Sequence, residues 1–476
     1  AALELSTLPP LNLDQRLGSL IRYPHGCAEQ TTSGAFPQLY LSDLTTLDKV
    51  QQQEVTTHVS AAIERLRRYQ TGAGTFGYAA GGFSTWPDGY RPHDWTSSYV
   101  GHFLLEAERA GYVLPAQHRS AWLSFQQQQA RRWSMDRREA DLMQAYRLYT
   151  LALAGSPELG AMNRLKEVGT LSDAAAWRLA AAYFLAGQQG TAKALVDGRS
   201  VGPATRSQPG ETYGSSVRDQ ALVLETLVLL DDPRAVALAE RVAAHLSSDK
   251  PLSTQSTAFA LVALSRFGIA QPNAPVKAGW SWLGADVATR TLSDVVNRVA
   301  LDVSDSDSEP LVVRNASEGD LFLQVVRSGI PALGADQPSA RNLELDVLYL
   351  TDTDEAIDPG ITPHGADLTA RITVKNTGPD ATDLALSFVV PSGWELFGLP
   401  PGPGADFTYR DVRDDRVLTY FDLKSGASKT FSIPVNAAYL GRFYRPPVVV
   451  EHMYDPGTYA RSAGDWTRVI LAGGPS

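Results

Sequence analysis

The chain holds one cysteine, and Gln30 lies three residues beyond it in the stretch Tyr23-Pro-His-Gly-Cys-Ala-Glu-Gln-Thr-Thr-Ser33. Positions i and i+3 share one face of a helix, so if Cys27 begins a helix its thiol reaches the Gln30 carboxamide. Attack of the thiolate on the carboxamide carbon, with loss of ammonia, leaves an internal thioester. A helix N-terminus favours the thiolate, and Gly26 permits a close approach of the backbone. A thioester reacts with water as well as with amines, so it has to stay under apolar or aromatic cover until it is used. Tyr23, four residues before Cys27, is spaced to lay its ring over the bond. His25 is too near along the chain to face Cys27 as a protease-type base, because adjacent residues seldom face each other on a helix or strand.

Those residues need helices to position them. From about residue 11 to residue 270 apolar residues recur at i, i+3, i+4 and i+7, as in residues 61–69, 99–110 and 142–154. Further helices are expected at 174–186, 217–230, 235–246 and 254–267. Gly111, Gly155, Gly187 and Gly268 stand where a left-handed C-terminal cap is wanted, roughly one helical hairpin (~30–45 residues) apart or a multiple of it. The Ala- and Leu-rich faces suit two concentric layers, and no distinct capping repeat marks an open solenoid. The expectation is a closed α/α toroid.

Beyond about Pro275 the period shortens to two. Segments 298–303, 311–314, 321–326, 343–350, 368–374 and 384–390 alternate like strands and are separated by turn clusters such as Asn376-Thr-Gly-Pro. Short antiparallel strands at this spacing read as β-sandwiches. Residues 1–8 also read as a strand, and residues 334–338 as a linker. The chain opens without Met and without a charged-then-apolar leader, so a piece of a longer protein is expected.

The length of 476 residues suggests about three domains at ~150 residues each. Lys+Arg 42 against Asp+Glu 52 gives a net charge of -10, which disfavours nucleic acid or an anionic lipid surface as partner. No apolar run approaches the ~18 residues of a membrane span. One cysteine allows no intrachain disulfide and no cysteine zinc site, and no metal site or cofactor is expected.

The motif Y-P-x-G-C-x-E-Q, here with Cys27, Glu29 and Gln30, resembles the thioester signature of the alpha-2-macroglobulin and complement superfamily. With Thr31-Thr32-Ser33 it is most similar to the bacterial alpha-2-macroglobulins. Asp94-Trp-Thr-Ser-Ser-Tyr-Val resembles a helix start in the family's thioester domain, and Ser253-Thr-Gln-Ser-Thr-Ala-Phe resembles its last helical hairpin. The resemblance implies a multidomain α and β chain. Residues 1–10 give the first strand of a CUB-like β-domain, 11–272 an inserted α/α-toroid thioester domain, 273–340 the rest of the CUB-like domain, and 341–476 a macroglobulin-like β-sandwich. It also implies a single-use protease trap rather than an enzyme. A protease cuts a bait region in the full-length protein, and the exposed thioester acylates a lysine amine of the attacker. Cys27 would be the leaving thiol, Gln30 the acyl donor and Glu29 a motif member making local hydrogen bonds. The implied partners are target proteases and the N-terminal macroglobulin domains. The implied location is the periplasm, with a possible inner-membrane anchor in the missing N-terminal part, where a thiol locked as a thioester is protected from oxidation. Met453 and Tyr454, after Val448-Val-Val, match the C-terminal domain's contribution to the shield. Complement-like members use a distant His for transfer to hydroxyls. The segment just before Leu142 contains none, and His93, His102 and His118 do not match that position, so direct attack by amines is expected.

Plainer and rival readings stand beside this one. A lone Cys is commonly a buried apolar residue. Asp302, Asp305, Asp307 and Glu309, or Asp352, Asp354 and Asp358, lack the EF-hand spacing and read as solvated turns. Trp86, Trp95, Trp122, Trp133 and Trp177 read as inter-helix packing before they read as a sugar cleft. Met453 also reads as a core methionine, and Asn315-Ala-Ser as a chance glycosylation triplet. A carbohydrate-active toroid enzyme would need paired carboxylates at the toroid mouth, and no spacing in 11–270 points to them. A thioester adhesin would bond to a fixed partner without a bait region.

Overall fold

The computed structural model describes residues 1–22, 26–72, 80–135, 139–202, 210–248, 250–270, 276–282, 285–292, 294–301, 310–327, 329 and 336–471. Two compact units result, one of Ala1–Lys250 with Thr254–Ser328, the other of Gly329–Ser476 with Pro251–Ser253.

The helices of the first unit begin with α1 (Leu13–Arg22), α2 (Ala28–Ala35), α3 (Leu41–Leu44), α4 (Lys49–Leu66) and α5 (Asp94–Arg109). They continue with α6 (Ala116–Arg132), α7 (Ala140–Leu153), α8 (Leu159–Glu167) and α9 (Asp173–Leu185). The series closes with α10 (Gln189–Val196), α11 (Ser216–Leu229), α12 (Ala235–Ser247) and α13 (Thr254–Ala270). Side-chain caps start several of them. Asp48 and Gln51 form a capping box on α4, and Ser172 and Ser215 cap α9 and α11. Gly111, Gly155 and Gly187 take positive φ of 93°, 74° and 77° just past α5, α7 and α9, as their spacing predicts.

Packing runs in a closed circle. Helix α2 lies beside α5, α5 beside α7, α7 beside α9, α9 beside α11, α11 beside α13, and α13 returns to α2. Helices α4, α6, α8, α10 and α12 pack outside that ring. The sequence explains which helix goes where. Every residue of α7 is buried, and α9 carries Ala at six of its thirteen positions, letting inner helices approach closely. Outer helix α12 buries one stripe only: Ala235, Leu238, Ala239, Val242, Ala243 and Leu246. This is the α/α toroid.

Gly268 departs from its expected role. Helix α13 runs past it to Ala270, and it is absent from the positive-φ glycines. A Cβ there would come within 3.1 Å of Leu8 Cδ1 and 3.2 Å of Val295 Cγ1, so close approach accounts for the glycine.

The same unit holds β1 (Ala2–Ser6), β2 (Val276–Trp282), β3 (Ala285–Leu292), β4 (Val296–Ala300), β5 (Val312–Asn315) and β6 (Phe322–Val326). Strand β1 is the centre of a sheet ordered β4-β1-β6, antiparallel to both neighbours, while β2 lies between β3 and β5. Leu3 and Leu5 of β1 are fully buried in a small core with Ala278, Trp280 and Leu301. The helical ring is therefore an insertion between β1 and the remaining strands.

The second unit contains β7 (Ser339–Arg341), β8 (Leu343–Thr351), β9 (Ile361–Pro363), β10 (Asp367–Asn376), β11 (Ala381–Val389) and β12 (Glu395–Leu396). After them come β13 (Tyr409–Val412), β14 (Arg416–Leu423), β15 (Ser428–Asn436) and β16 (Gly441–Arg445). The last three are β17 (Val449–His452), β18 (Asp455–Arg461) and β19 (Asp465–Ile470). Sheets ordered β12-β15-β10-β8 and β13-β14-β11-β17-β18-β7 share a core, with β16-β19-β9 beside them. Alternate residues point inward, as in Leu368, Ala370, Ile372 and Val374 of β10 against Leu384, Leu386 and Phe388 of β11.

Among the described residues no helix is long and apolar enough to cross a membrane, and no group of three or more His, Cys, Asp or Glu is arranged for a metal ion. The run Asp302–Glu309 lies outside the described residues. Asp354 accepts from Arg371, and Asp358 accepts from the backbone N–H of Gly360, as turn residues do. The indoles of Trp122, Trp133 and Trp177 donate to the carbonyls of Ser97, Ala140 and Ser200, so they serve packing between segments of the toroid.

Candidate functional site

Cys27 is the N-cap of α2, with φ -68° and ψ 169°. The first N–H groups of a helix have no partner within it, and a side chain must serve them. Cys27 Sγ accepts from the Gln30 backbone N–H at 3.4 Å, and Gln30 Oε1 accepts from the Cys27 N–H at 3.2 Å. This is the reciprocal capping box of a Ser-x-x-Gln helix start, built with a thiol in place of the hydroxyl. Cys27 is fully buried and Gln30 is 4% exposed.

The turn leading into the box is held from α4 and the segment after it. The Gly26 carbonyl accepts from the Tyr69 hydroxyl and, at 3.4 Å, from Arg65 Nη2. A Cβ at Gly26 would displace that guanidinium from its place against the turn. Burial pushes the Tyr69 phenol up, so it stays a donor. The Ala28 N–H donates to the Thr85 carbonyl at 3.0 Å.

Glu29, between the two, is 1% exposed. Its Oε1 accepts from Ser33 Oγ at 2.5 Å and from Thr254 Oγ1 at 3.2 Å, and its Oε2 accepts from the same Thr254 hydroxyl at 3.0 Å. Ser33 Oγ lies 3.0 Å from the Tyr99 hydroxyl. Burial first, and then the Glu29 charge, raise the Tyr99 phenol well above its ordinary range. Tyr99 therefore donates to Ser33, and Ser33 donates to Glu29.

Cys27, Glu29 and Gln30 thus come together as the motif predicts. Tyr23 lies outside the described residues. Met453 and Tyr454 occupy the turn of the β17–β18 hairpin in the second unit, where His452 Nδ1 accepts from the N–H groups of Tyr454 and Asp455 at 3.1 Å each. Ser33, Tyr99 and Thr254 carried no assigned role in the sequence reading. Their signal was present in the three segments quoted for their resemblance, but their contact with Glu29 is not readable from spacing. His93 caps α5 through Nδ1 and stacks on Tyr213, with ring centroids 5.2 Å apart.

A second buried polar group lies inside the ring. Glu225 of α11 accepts from Arg178 of α9 at 2.6 Å and from Arg266 of α13 at 2.8 Å, and Arg266 also reaches Glu106 of α5 at 3.0 Å. Burial would raise the Glu225 carboxyl, but Arg178 and Arg266 prevail and hold it down at about 2. His102 donates or accepts at the Tyr146 hydroxyl, and burial holds its pKa well below the usual value. These groups tie α5, α9, α11 and α13 together; they are not convergent on an open cleft.

At the capping box, a nucleophilic sulfur and an electrophilic carboxamide carbon belong to one hydrogen-bonded turn, which supplies proximity without further ordering. The Cys27 N–H already points at the carboxamide oxygen, where negative charge develops when sulfur attacks.

Comparison with known proteins bears on the same two regions. The A-macroglobulin TED domain model matches residues 5–140, and the Bacterial Alpha-2-macroglobulin MG10 domain model matches residues 349–457. The chain is 26% identical to an alpha-2-macroglobulin of Xylella fastidiosa over 96% of its own length and 30% of that protein. It is 25% identical to the Escherichia coli alpha-2-macroglobulin over 97% of its length and 29% of that protein. The chain thus spans about a third of the curated relatives it matches. Among solved structures, native E. coli alpha-2-macroglobulin from domain MG7 to the C-terminus superposes with a TM-score of 0.80 at 22% identity, covering 98% of this chain and 77% of that one. Salmonella alpha-2-macroglobulin reacted with methylamine gives 0.81 at 23% identity, covering 99% and 31%. These structures share the fold. A TED-type helical ring set into a β-domain, a bacterial MG10-type sandwich after it, and curated relatives aligned along nearly the whole sequence agree on one conclusion: the chain belongs to the alpha-2-macroglobulin family.

Proposed function

We propose that Cys27 and Gln30 condense to an internal thioester and that the whole protein uses it as a single-use covalent trap for proteases. The observation that carries this reading is the reciprocal capping box, with Cys27 Sγ on the Gln30 N–H and Gln30 Oε1 on the Cys27 N–H. The condensation forms the Sγ–Cδ bond and breaks the Cδ–N bond; the thiol proton leaves with the amide nitrogen as ammonia. Family membership supports the use to which the bond is put. After bait cleavage a lysine amine of the protease attacks the acyl carbon, Cys27 leaves as thiolate, and the protease stays bound through an amide to Gln30. Nothing is regenerated, so the protein acts once and is not a catalyst.

Tyr23, Met453 and Tyr454 are proposed as the cover that keeps water away from the bond. The proposed location is the periplasm, and the proposed partners are proteases together with the N-terminal macroglobulin domains and bait region. Direct aminolysis, without a histidine relay to hydroxyls, follows from the lack of a histidine just before Leu142. Intact mass with and without methylamine tests the chemistry. A mass short by one ammonia, which methylamine raises by its own mass while freeing one thiol, is the expected result. A chain of full mass that takes up no methylamine under any preparation overturns it. Efficient capture of glycerol would count against direct aminolysis alone.

A further inference from the structure

We infer that Thr254, Ser33 and Tyr99 are positioning residues for the reactive pair, acting through Glu29 as a clamp that sets the rotation of α2. The inference rests on the thioester reading and deepens it.

Helix α2 has the sequence AEQTTSGA and only eight residues. A helix that short is marginal on its own and depends on tertiary contacts for its place. Its buried residues, Ala28, Glu29, Gln30, Thr32, Ser33 and Ala35, include no large apolar side chain, so packing against its neighbours fixes its rotation only weakly. Yet rotation is what the chemistry needs. Successive residues on a helix point about 100° apart, so a small turn of α2 about its axis carries the Gln30 carboxamide away from the cap sulfur.

Glu29 adds a directional constraint. A buried carboxylate costs several kcal/mol unless it is hydrogen-bonded, so an apolar residue would be the cheaper choice if packing were all that mattered. Here the two oxygens are engaged by hydroxyls from two directions. Thr254, the first residue of α13, donates across to both oxygens, and Ser33, one turn along α2, donates to Oε1 while receiving from Tyr99 of α5. The two ring neighbours of α2, α5 and α13, thus hold one carboxylate between them. Because Glu29 immediately precedes Gln30, fixing its direction fixes that of the acyl donor. Held this way, Gln30 Oε1 stays on the Cys27 N–H and the sulfur stays beside the carboxamide.

The clamp predicts a loss of the reactive bond out of proportion to any loss of fold. In the whole chain, Thr254→Val keeps the shape of the side chain and removes its donor, and Ser33→Ala removes the other route to the same carboxylate. Each is expected to lower the methylamine-titratable thiol per chain, or to shorten its half-life in neutral buffer, by about tenfold, the scale of one lost hydrogen bond to a charged group. Tyr99→Phe removes only the outer donor and should have a smaller effect, about two- to threefold. Thr254→Ser, which keeps the hydroxyl, should restore the wild-type titre and half-life, a rescue that a purely space-filling role would not produce. Melting temperature is followed alongside, and the clamp requires the titre to fall in variants that still melt cooperatively near the wild type. Wild-type titre and half-life in both Thr254→Val and Ser33→Ala overturn the clamp while leaving the thioester intact. Thr254→Val and Thr254→Ser behaving alike also overturns it. A wild-type chain with no titratable thioester overturns the underlying reading and the clamp with it.

Discussion

At Cys27 the cap atom is sulfur, a weaker acceptor than the hydroxyl oxygen common at this position, so α2 gives up a little stability and gains a nucleophile. Cys27→Ser should therefore leave the fold within about 1 kcal/mol of the wild type in denaturant unfolding while abolishing methylamine uptake. Gln30→Glu keeps an acceptor for the Cys27 N–H and places a negative charge at a helix N-terminus, where it is tolerated. It lacks an amide nitrogen to expel, so intact mass should show no condensation. The proximity of Cys27 and Gln30 was legible in the sequence because both residues sit in one turn, where spacing decides geometry. The partners of Glu29 were not. Thr254 lies 225 positions away and Tyr99 lies 66 from Ser33, and no local periodicity records such contacts. Gly268 was misread for a related reason: a glycine near a helix end suggests a cap, whereas its cause is a close approach to Leu8 and Val295 from remote parts of the chain.

Among the elements, the six inner helices are joined by charge as well as by apolar surface. Glu225→Gln leaves Arg178 fully buried without its carboxylate partner and weakens the hold on Arg266. Removing one member of a buried pair costs about 3–5 kcal/mol, and the toroid should melt markedly earlier by calorimetry or circular dichroism. His102 gives the ring a dependence on pH. Burial, reinforced by Arg266, Arg178 and Arg109, keeps its folded pKa well below the usual 6.5. The folded chain resists a proton that the unfolded chain accepts, so stability falls as pH drops below about 6.5, by up to about 1.4 kcal/mol per pH unit for this group. His102→Gln should show a shallower decline between pH 6.5 and 5 in thermal melts. The slope should not vanish, because His118, His245 and His452 are also held low by burial. An equal slope in both proteins would show that His102 does not contribute. Seven of the helices and the two-layer ring were readable because Ala- and Leu-rich faces at helical spacing leave a pattern, whereas α1, α6, α8 and α10 were not anticipated. The polar network at the centre left none.

Across the whole molecule, β1 is the strand on which the first unit's small sheet depends, hydrogen-bonded on both sides by strands that follow it at a distance of nearly the entire helical domain. Leu5→Asp would bury a carboxylate among Ala278, Trp280 and Leu301 and should open this sheet to proteolysis near residues 296–326. The ring, with its own core, should remain helical by circular dichroism; simultaneous loss of helix would show that the two parts unfold as one. Strand β1 also has an awkward position in time. It leaves the ribosome ahead of the helices and of its partner strands, with both edges unpaired and Leu3 and Leu5 uncovered, and waits for roughly 290 residues before β4 emerges. At typical rates of synthesis that wait is on the order of fifteen seconds to a minute. The helices that intervene find their own partners as they are made, and the growing ring brings Gly268 back beside Leu8. Translation thus sets an order of events in which the whole helical insertion is made before β1 meets either of its partner strands.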